Sequence, residues 1–594
     1  MPAPRILQKI QCTPWLCFCA MVLFLTAKCA IWHAQFFGDK LIPVGDILWC
    51  VLFLSAGILL CRNRPWWSLL LFFTTNLWLF ANFVYERAWG QILTADMVRM
   101  ADNLRGFEDS LLTYWHADML WWLLLPDALY VLSIIFLWAT PSRRSWKGAF
   151  AIVGLALLLI PVRQTEYFRA IYTERKEYNN HEGIARWWHL YKPLFHPYQQ
   201  AYEDAYFAFL TQTHTPWERK YIHRYGILNY GIEMVCFDRH YRKFMEEIAH
   251  CEVSFTDREK DILSSLTAKE PVFTPERNLI IILVESLESW AIDYPTPDGY
   301  VMPNLRSFIR QHHTFYAPNV YNMIHYGGSS DGQLILLTGL LPIHKGVTVA
   351  LYGDQAYPNF CHFYPHSITL NPSPGTWKQQ VVNPHYGIRL LEESDSIRND
   401  EGIFHRLSHL DLPAPYCALA ITVSSHIPYS IAEEVDLALP NDMPDNMARY
   451  LKSLHYMDKH LGMFLQQANS KQLLMQSDIV ITGDHTIFYA ADWELMKQYA
   501  HEKGIQCLGD GANACPLVLY SPTFKQPVYY AEAAYQMDIY PSILHMIGCS
   551  SPAWRGFGKD LLDDTTTRIP YHEAKELSNK MITSSYFDKK QPSH

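Results

Sequence analysis

Residues able to do chemistry stand at the ends of short apolar runs in the second half of this 594-residue chain. Asn278-Leu-Ile-Ile-Ile-Leu-Val284 runs directly into Glu285, Tyr416-Cys-Ala-Leu-Ala-Ile-Thr-Val423 into Ser424-Ser425-His426, and Ser477-Asp-Ile-Val-Ile-Thr482 into Gly483-Asp484-His485. Asp and Glu oxygens with a His nitrogen form a hard-to-borderline ligand set, suited to manganese, magnesium or zinc and ill suited to copper(I) or an iron-sulfur cluster. Glu285, Asp484 and His485 are therefore the candidate metal ligands. Taken singly each has a plainer reading, because an acidic residue after a strand is usually a cap or a loop hydrogen-bonder. A fourth element is Gly327-Gly328-Ser329-Ser330-Asp331-Gly332-Gln333, which precedes the helical run Leu334 to Leu341. Backbone N–H groups and the helix dipole at such a start favour an anion and lower the pKa of a nucleophilic hydroxyl. Ser330-x-x-Gln333 also reads as a capping box, which needs no chemistry and leaves Ser329 free to face a metal.

These residues need a scaffold that gathers strand ends. The runs are continuously apolar rather than alternating, and with Pro516-Leu-Val-Leu-Tyr520 they alternate with helical patterns between Asn278 and Gly548. That pattern predicts an α/β layered domain whose sheet is buried on both faces, with ligands collected at the carboxyl ends of its strands.

The first part of the chain obeys a different solvent. Five apolar runs, Pro14 to Gln35, Asp46 to Cys61, Trp66 to Tyr85, Ala117 to Ala139 and Trp146 to Val162, match the length needed to cross a hydrocarbon core of about 30 Å as helices. A secretory signal is the alternative for the first run, after Arg5 and Lys9. Four more runs follow it, however, and Lys28 stands where a lipoprotein cleavage motif needs a small residue, so it is read as a retained helix. Arg5, Lys9, Arg62, Arg64, Arg143, Arg144 and Lys147 fall on one side, which the positive-inside bias assigns to the cytoplasm. Everything after Val162 is then expected outside. Asp127, inside the fourth run, must be either paired or functional. Residues 164–275 read as an amphipathic helical linker, residues 276–563 as the outer domain, and residues 564–594 as a polar tail without strong apolar periodicity.

Composition removes other classes. Charged residues are 18% and apolar residues 49%, which excludes a disordered or collagenous chain. A net charge of -9 offers no basic field for nucleic acid. Thirteen cysteines are too few for a disulfide scaffold. Of the seven after residue 163, Cys507 and Cys515 are closest in sequence, and an odd number leaves at least one unpaired.

The motifs Asn278 to Glu285, Met302-Pro303-Asn304-Leu305, Ser329-Ser330-Asp331 with Leu337-Thr338-Gly339-Leu340-Leu341-Pro342, Gly483-Asp484-His485, and Gln536-Met-Asp538-Ile-Tyr-Pro541-Ser-Ile-Leu544 occur in the order found in the alkaline phosphatase/sulfatase superfamily. Behind five membrane helices, the chain resembles the lipoteichoic acid synthase-like bacterial phosphoglycerol transferases. The resemblance implies a five-helix transmembrane bundle (1–163) in the bacterial cytoplasmic membrane, followed by an extracytoplasmic sulfatase-like α/β domain with a mostly parallel sheet. It implies one divalent metal ion, manganese with magnesium or zinc as alternatives, held by Glu285, Asp484, His485 and the oxygen of the nucleophile Ser329, where the family more often carries Thr. His426 matches a histidine that contacts the phosphate or leaving group, and Trp377 a headgroup-site tryptophan. The arginine expected two residues later is Gln379, a departure that bears on the phosphoglycerol headgroup. The implied reaction is ping-pong transfer of a phosphoryl-linked headgroup from a membrane phospholipid to a glycan, lipid or polymer acceptor, with diacylglycerol released. Phosphoethanolamine transfer and phosphodiester hydrolysis share this core. A sulfatase is disfavoured, since Ser329 lacks the Pro and Arg of a formylglycine motif. A catalytically silent sensor or scaffold is the reading from another class, and loss of a ligand or nucleophile would be its sign.

Overall fold

The computed structural model describes residues 14–37, 68–89, 124–132, 254–267 and, with short gaps, 273–588, together with a few isolated positions between 46 and 231. The chain divides into two compact units, one built from residues within 1–245 and the other chiefly from 246–594.

In the first unit, helix α1 (Pro14–Phe37) coincides with the first apolar run, α2 (Ser68–Trp89) with the third, and residues 124–132 of the fourth are helical. The second run is described only at Asp46 and Cys50, and the fifth lies outside the described residues. Among the described residues no helix is long and apolar enough to cross a membrane. Asp127 is paired: it accepts from Lys28 Nζ and Asn76 Nδ2, and Lys28 also donates to Asn76 Oδ1. The lysine that argued against a cleavable leader is thus the internal counter-charge of the aspartate. Asp46 accepts from the amides of Ile227 and Leu228 at 3.1 and 2.8 Å, docking part of the segment read as a linker within this unit.

The second unit is built on a nine-stranded sheet. Its strands are β1 (Asn278–Val284), β2 (Thr314–Tyr321), β3 (His366–Leu370), β4 (Leu390–Glu392), β5 (Tyr416–Ile421), β6 (Ser477–Gly483), β7 (Ala514–Tyr520), β8 (Val528–Tyr529) and β9 (Ala534–Tyr535). The order is β8-β2-β7-β6-β1-β5-β3-β4, with β9 also on β2. Strands β6, β1, β5, β3 and β4 run parallel, and β7 lies antiparallel to both β6 and β2. Two reversals restore the direction, so the carboxyl end of β2 lies on the same edge as those of β6, β1 and β5. Every residue of β1, β6 and β7 is buried, as their unbroken apolar sequences require. Helix α3 (Asp257–Leu266) begins at a capping box between Thr256 and Glu259. The first four expected strands are all present.

The segment expected as a polar tail carries a packed helix, α4 (Tyr571–Thr583), with Ala574, Leu577, Met581 and Ile582 buried. Ser578 Oγ accepts from Leu341 N at 2.9 Å and donates to Leu341 O at 2.7 Å, closing the loop that follows the Ser329 helix. Lys580 pairs with Glu259 at 2.7 Å, and Arg258 pairs with Glu573, so α3 from the expected linker packs within the second unit. Apolar side chains one or two per turn among Lys, Glu, Ser and Asn give too weak a stripe to register as periodicity, yet a stripe that narrow suffices for a surface helix. Cys515, one half of the closest cysteine pair after residue 163, is buried in β7, and Cys507 lies outside the described residues.

Truncation after Asp564 should therefore destabilise the outer domain, by on the order of 5 kcal/mol from the apolar side chains lost. Urea denaturation of full-length and truncated protein followed by intrinsic fluorescence measures it; an unchanged midpoint would show that α4 contributes nothing.

Candidate metal and nucleophile site

Three adjacent parallel strands deliver three loops to one edge of the sheet. Glu285 follows β1, Asp484 and His485 follow β6, and the Val423-to-His426 turn follows β5. One ligand atom from each of Glu285, Asp484 and His485 lies within 4.8 Å of the others, and all three side chains are buried. His485 Nε2 is 3.6 Å from Glu285 Oε1 and 3.5 Å from Asp484 Oδ2. Its Nδ1 faces Thr486 O at 2.7 Å, which places the ring proton on Nδ1 and turns the Nε2 lone pair toward the carboxylates.

Ser329 opens the helix Ser329–Thr338, designated the nucleophile helix. Its Oγ lies 3.1 Å from His485 Nε2 and 3.4 Å from Glu285 Oε2. The four residues expected to share a metal are thus brought together. The capping box is not formed. The N-cap is Gly328, at φ +54, without a side-chain cap bond, and Ser330 Oγ donates instead to Gly327 O at 2.8 Å. The positive φ, which glycine adopts without a Cβ penalty, turns the chain so that Ser329 rather than Ser330 opens the helix toward the ligands.

Electrostatics set the character of the cluster. Burial raises Asp484, as does the charge of Glu285, and its carboxyl is pushed up to about 7. Burial acts the same way on Glu285, but the charges of His485 and His426 and the hydroxyl of Ser286 outweigh it and hold the group below the usual range. Burial would lower His485, yet Asp484 and Glu285 raise it. Two carboxylates and an imidazole lone pair packed this closely suit a divalent cation, which would relieve the repulsion between the carboxylates and compete with a proton for Nε2. The donor set fits a metal on these grounds.

Residues not singled out from sequence hold the cluster in shape. Ser286, at φ +52, donates its amide to Asp484 Oδ1 and its hydroxyl to Glu285 Oε1, at 2.8 and 2.7 Å. Tyr450 donates to Ser286 O and accepts from Glu288 N. Gln536 donates to Asp484 O and accepts from Met323 N, both at 2.7 Å, tying the metal loop to the segment that leads to Ser329. Asp331 is buried and accepts from the amides of His325 and Gly327; burial pushes its carboxyl up to about 7. A Cβ on Gly332 would meet Asp484 O at 2.2 Å, so the nucleophile helix approaches that loop as only glycine allows. Of these, Gln536 was within a quoted motif and Gly332 within the glycine-serine turn; Ser286 and Tyr450 carried no signal.

His426 sits in the turn after β5, half-buried, with Nδ1 2.6 Å from Ile427 O. Asp400 accepts from Val423 N and Ser424 N at 2.8 and 3.2 Å and so fixes the approach to that turn. Trp377 lies outside the described residues. Gln379 is buried and pairs amide to amide with Gln333 on the nucleophile helix.

A sulfatase-family model matches residues 399–549. Lipoteichoic acid synthase 2 of Bacillus subtilis is 27% identical over 341 residues, 53% of this chain and 52% of the relative. The lipoteichoic acid synthase of Staphylococcus saprophyticus is 23% identical over 339 residues, again 53% and 52%. The integral membrane protein lipooligosaccharide phosphoethanolamine transferase A of Neisseria meningitidis has a similar fold, with a TM-score of 0.51 at 11% identity over 91% of this chain and 96% of that one. The chain spans about half the length of the curated relatives it matches. Residues 399–549 thus carry a sulfatase-family domain, and the chain is similar to the lipoteichoic acid synthases, within the alkaline phosphatase/sulfatase superfamily.

Gly332→Ala keeps all four expected ligand residues but forces the helix that carries Ser329 off the Asp484 loop. We expect roughly tenfold or greater loss of manganese affinity by titration calorimetry, as for loss of a residue that orients a ligand; wild-type affinity in a folded variant would contradict the tight approach.

Proposed function

We propose that this chain is a metal-dependent transferase that moves a phosphoryl-linked headgroup from a membrane phospholipid to a cell-envelope acceptor through a covalent intermediate on Ser329. The observation that carries the reading is the position of Ser329 Oγ, held at the first turn of a helix within hydrogen-bonding distance of both His485 and Glu285. Glu285, Asp484, His485 and Ser329 Oγ would hold the ion, manganese by expectation, which when bound lowers the pKa of the hydroxyl and neutralises phosphoryl oxygens.

The chain's own residues do the rest. Ser329 Oγ, its proton lost to solvent, attacks phosphorus, the bond from phosphorus to the diacylglycerol oxygen breaks, and His426 gives that oxygen a proton. The helix N-terminus favours the phosphoryl charge. An acceptor hydroxyl, giving its proton to the His426 left neutral by the first step, then attacks the same phosphorus, the bond to Ser329 Oγ breaks, and the serine takes a proton from solvent and is restored. The five apolar runs are read as the anchor that keeps this domain outside the cytoplasmic membrane, beside a lipid donor whose effective concentration the tether raises. Phosphoglycerol is the proposed headgroup, with Trp377 as its contact. Phosphoethanolamine is the second reading, favoured by the burial of Gln379 against Gln333, which removes that position from contact with a glycerol headgroup. A silent scaffold is disfavoured because the nucleophile and all three ligands are present and converge.

The test incubates detergent-purified full-length protein with manganese and a mixture of fluorescent phosphatidylglycerol and phosphatidylethanolamine, and follows diacylglycerol. Release should require metal and should fall by about 10^3-fold or more in Ser329→Ala. The lipid consumed identifies the headgroup, and no release from folded, metal-bound protein would sink the phospholipid donor.

A second expectation separates the role of His426. His426→Gln should slow diacylglycerol release on the order of 10^2-fold or more. It should slow release from a nitrophenyl phosphodiester much less, because that leaving group needs no proton. Equal losses with both donors would assign His426 to phosphate binding instead.

A further inference from the structure

Two thiols of the outer domain meet on the side of the sheet where no chemistry has been assigned. Cys361 lies in the short turn Phe360–Phe363, and its amide donates to Asn359 Oδ1 at 2.8 Å, which fixes the backbone there. Cys417 lies near the start of β5, in register with Leu279 of β1 and Ser367 of β3, so its backbone is fixed from both sides. The two sulfurs are 3.5 Å apart across 56 positions of sequence, and both residues are buried. A bonded pair needs about 2.05 Å, so the two sulfurs must close by about 1.5 Å for the bond to form.

From this juxtaposition we infer that Cys361 and Cys417 are a modification site: in the finished protein they are joined as a disulfide by a thiol-disulfide oxidant of the exported compartment. The inference rests on the proposed placement of this domain outside the cytoplasm, where such bonds form and persist. One cysteine thiolate attacks the oxidant's disulfide, that S–S bond breaks, and a mixed disulfide forms with loss of one oxidant thiol. The second cysteine, as thiolate, then displaces the other oxidant sulfur. Two protein thiols are oxidised, one oxidant disulfide is reduced to two thiols, and both cysteine protons pass to them or to solvent. The exchange takes place during folding, before the core closes over both sulfurs. Burial, with the neighbouring Cys417, raises the Cys361 thiol well above its ordinary value, so a Cys361 left reduced is slow to oxidise once the core has closed.

The location gives the bond a function. The chain it would close contains β3, the Trp377 segment, the helix Gln379–His385 that pairs with the nucleophile helix, β4, and the helix Asp400–Ser408 whose Asp400 holds the approach to His426. A cross-link at 361 and 417 therefore ties the two ends of the block expected to contact the headgroup, and restricts it most in the unfolded chain.

The test uses full-length protein in cells. Cells are quenched in acid, alkylated with N-ethylmaleimide in denaturant without reductant, and the peptides carrying residues 361 and 417 are mapped by mass spectrometry. In parallel, protease added outside spheroplasts reports on which side the domain lies. A protease-accessible domain with the two peptides linked supports the inference, and an accessible domain with both cysteines alkylated overturns it. If the domain is protected, the orientation reading has failed on its own. The pair is then judged on purified protein refolded in oxidised glutathione, where linkage supports the site and two free thiols overturn it. Reductant should lower the Tm of the linked protein by roughly 5 °C or more and leave a Cys361→Ala/Cys417→Ala variant unmoved. An equal drop in both would mean that the bond contributes nothing. The wild-type arm needs no variant to fold.

Discussion

Everything at the candidate site is arranged around one unfavourable interaction, the burial of the Glu285 and Asp484 carboxylates with an oxygen of each within 4.8 Å of the other. At an effective dielectric constant of about 20, two full charges at that distance repel by about 3 kcal/mol. The protein does not relieve this by moving them apart. It gives Asp484 Oδ1 two backbone amides, from Ser286 and His485, gives Glu285 the Ser286 hydroxyl, and sets the His485 ring between them. Those contacts demand a left-handed Ser286 and a Tyr450 hydroxyl pinned to its carbonyl. Strain and burial at one point are therefore offset by neighbours whose own chemistry is silent, as expected where a site must be ready to receive a cation.

The sheet order follows from the same requirement. Parallel neighbours β6, β1 and β5 bring three loops to one edge without further device. Ser329 comes from the far side of β7, and only because β7 reverses and β2 reverses again does the nucleophile arrive on the ligand edge. Gly332 and the Gln536 amide then close the remaining distance between the nucleophile helix and the Asp484 loop.

Much of this was legible in the sequence, for physical reasons. Strands β1, β5, β6 and β7 are buried on both faces and so read as unbroken apolar runs, and the candidate ligands stand directly at the ends of β1 and β6. The outer strands were not legible: β2 contains Pro318 and a register irregularity between Ala317 and Val320, β4 has three residues, and β8 and β9 have two each. The Ser329 turn was legible as a helix start, but its capping pattern misled, because Gln333 is drawn to Gln379 from a segment no local reading could bring near. Helix Tyr571–Thr583 was missed for the same cause, since a narrow apolar stripe acquires meaning only from the surface it meets. Asp127 was legible as a residue needing a partner; that the partner is Lys28, 99 positions away, was not.

The central claim is that the headgroup-phosphoryl unit passes through Ser329. The most direct measurement is mass spectrometry of the peptide carrying residue 329, from full-length protein mixed with phospholipid and manganese and quenched in acid before an acceptor is added. The account predicts a headgroup-phosphoryl adduct on Ser329 that disappears when acceptor is supplied. Diacylglycerol release at the same rate with no adduct on Ser329, and with activity surviving in Ser329→Ala, would contradict it.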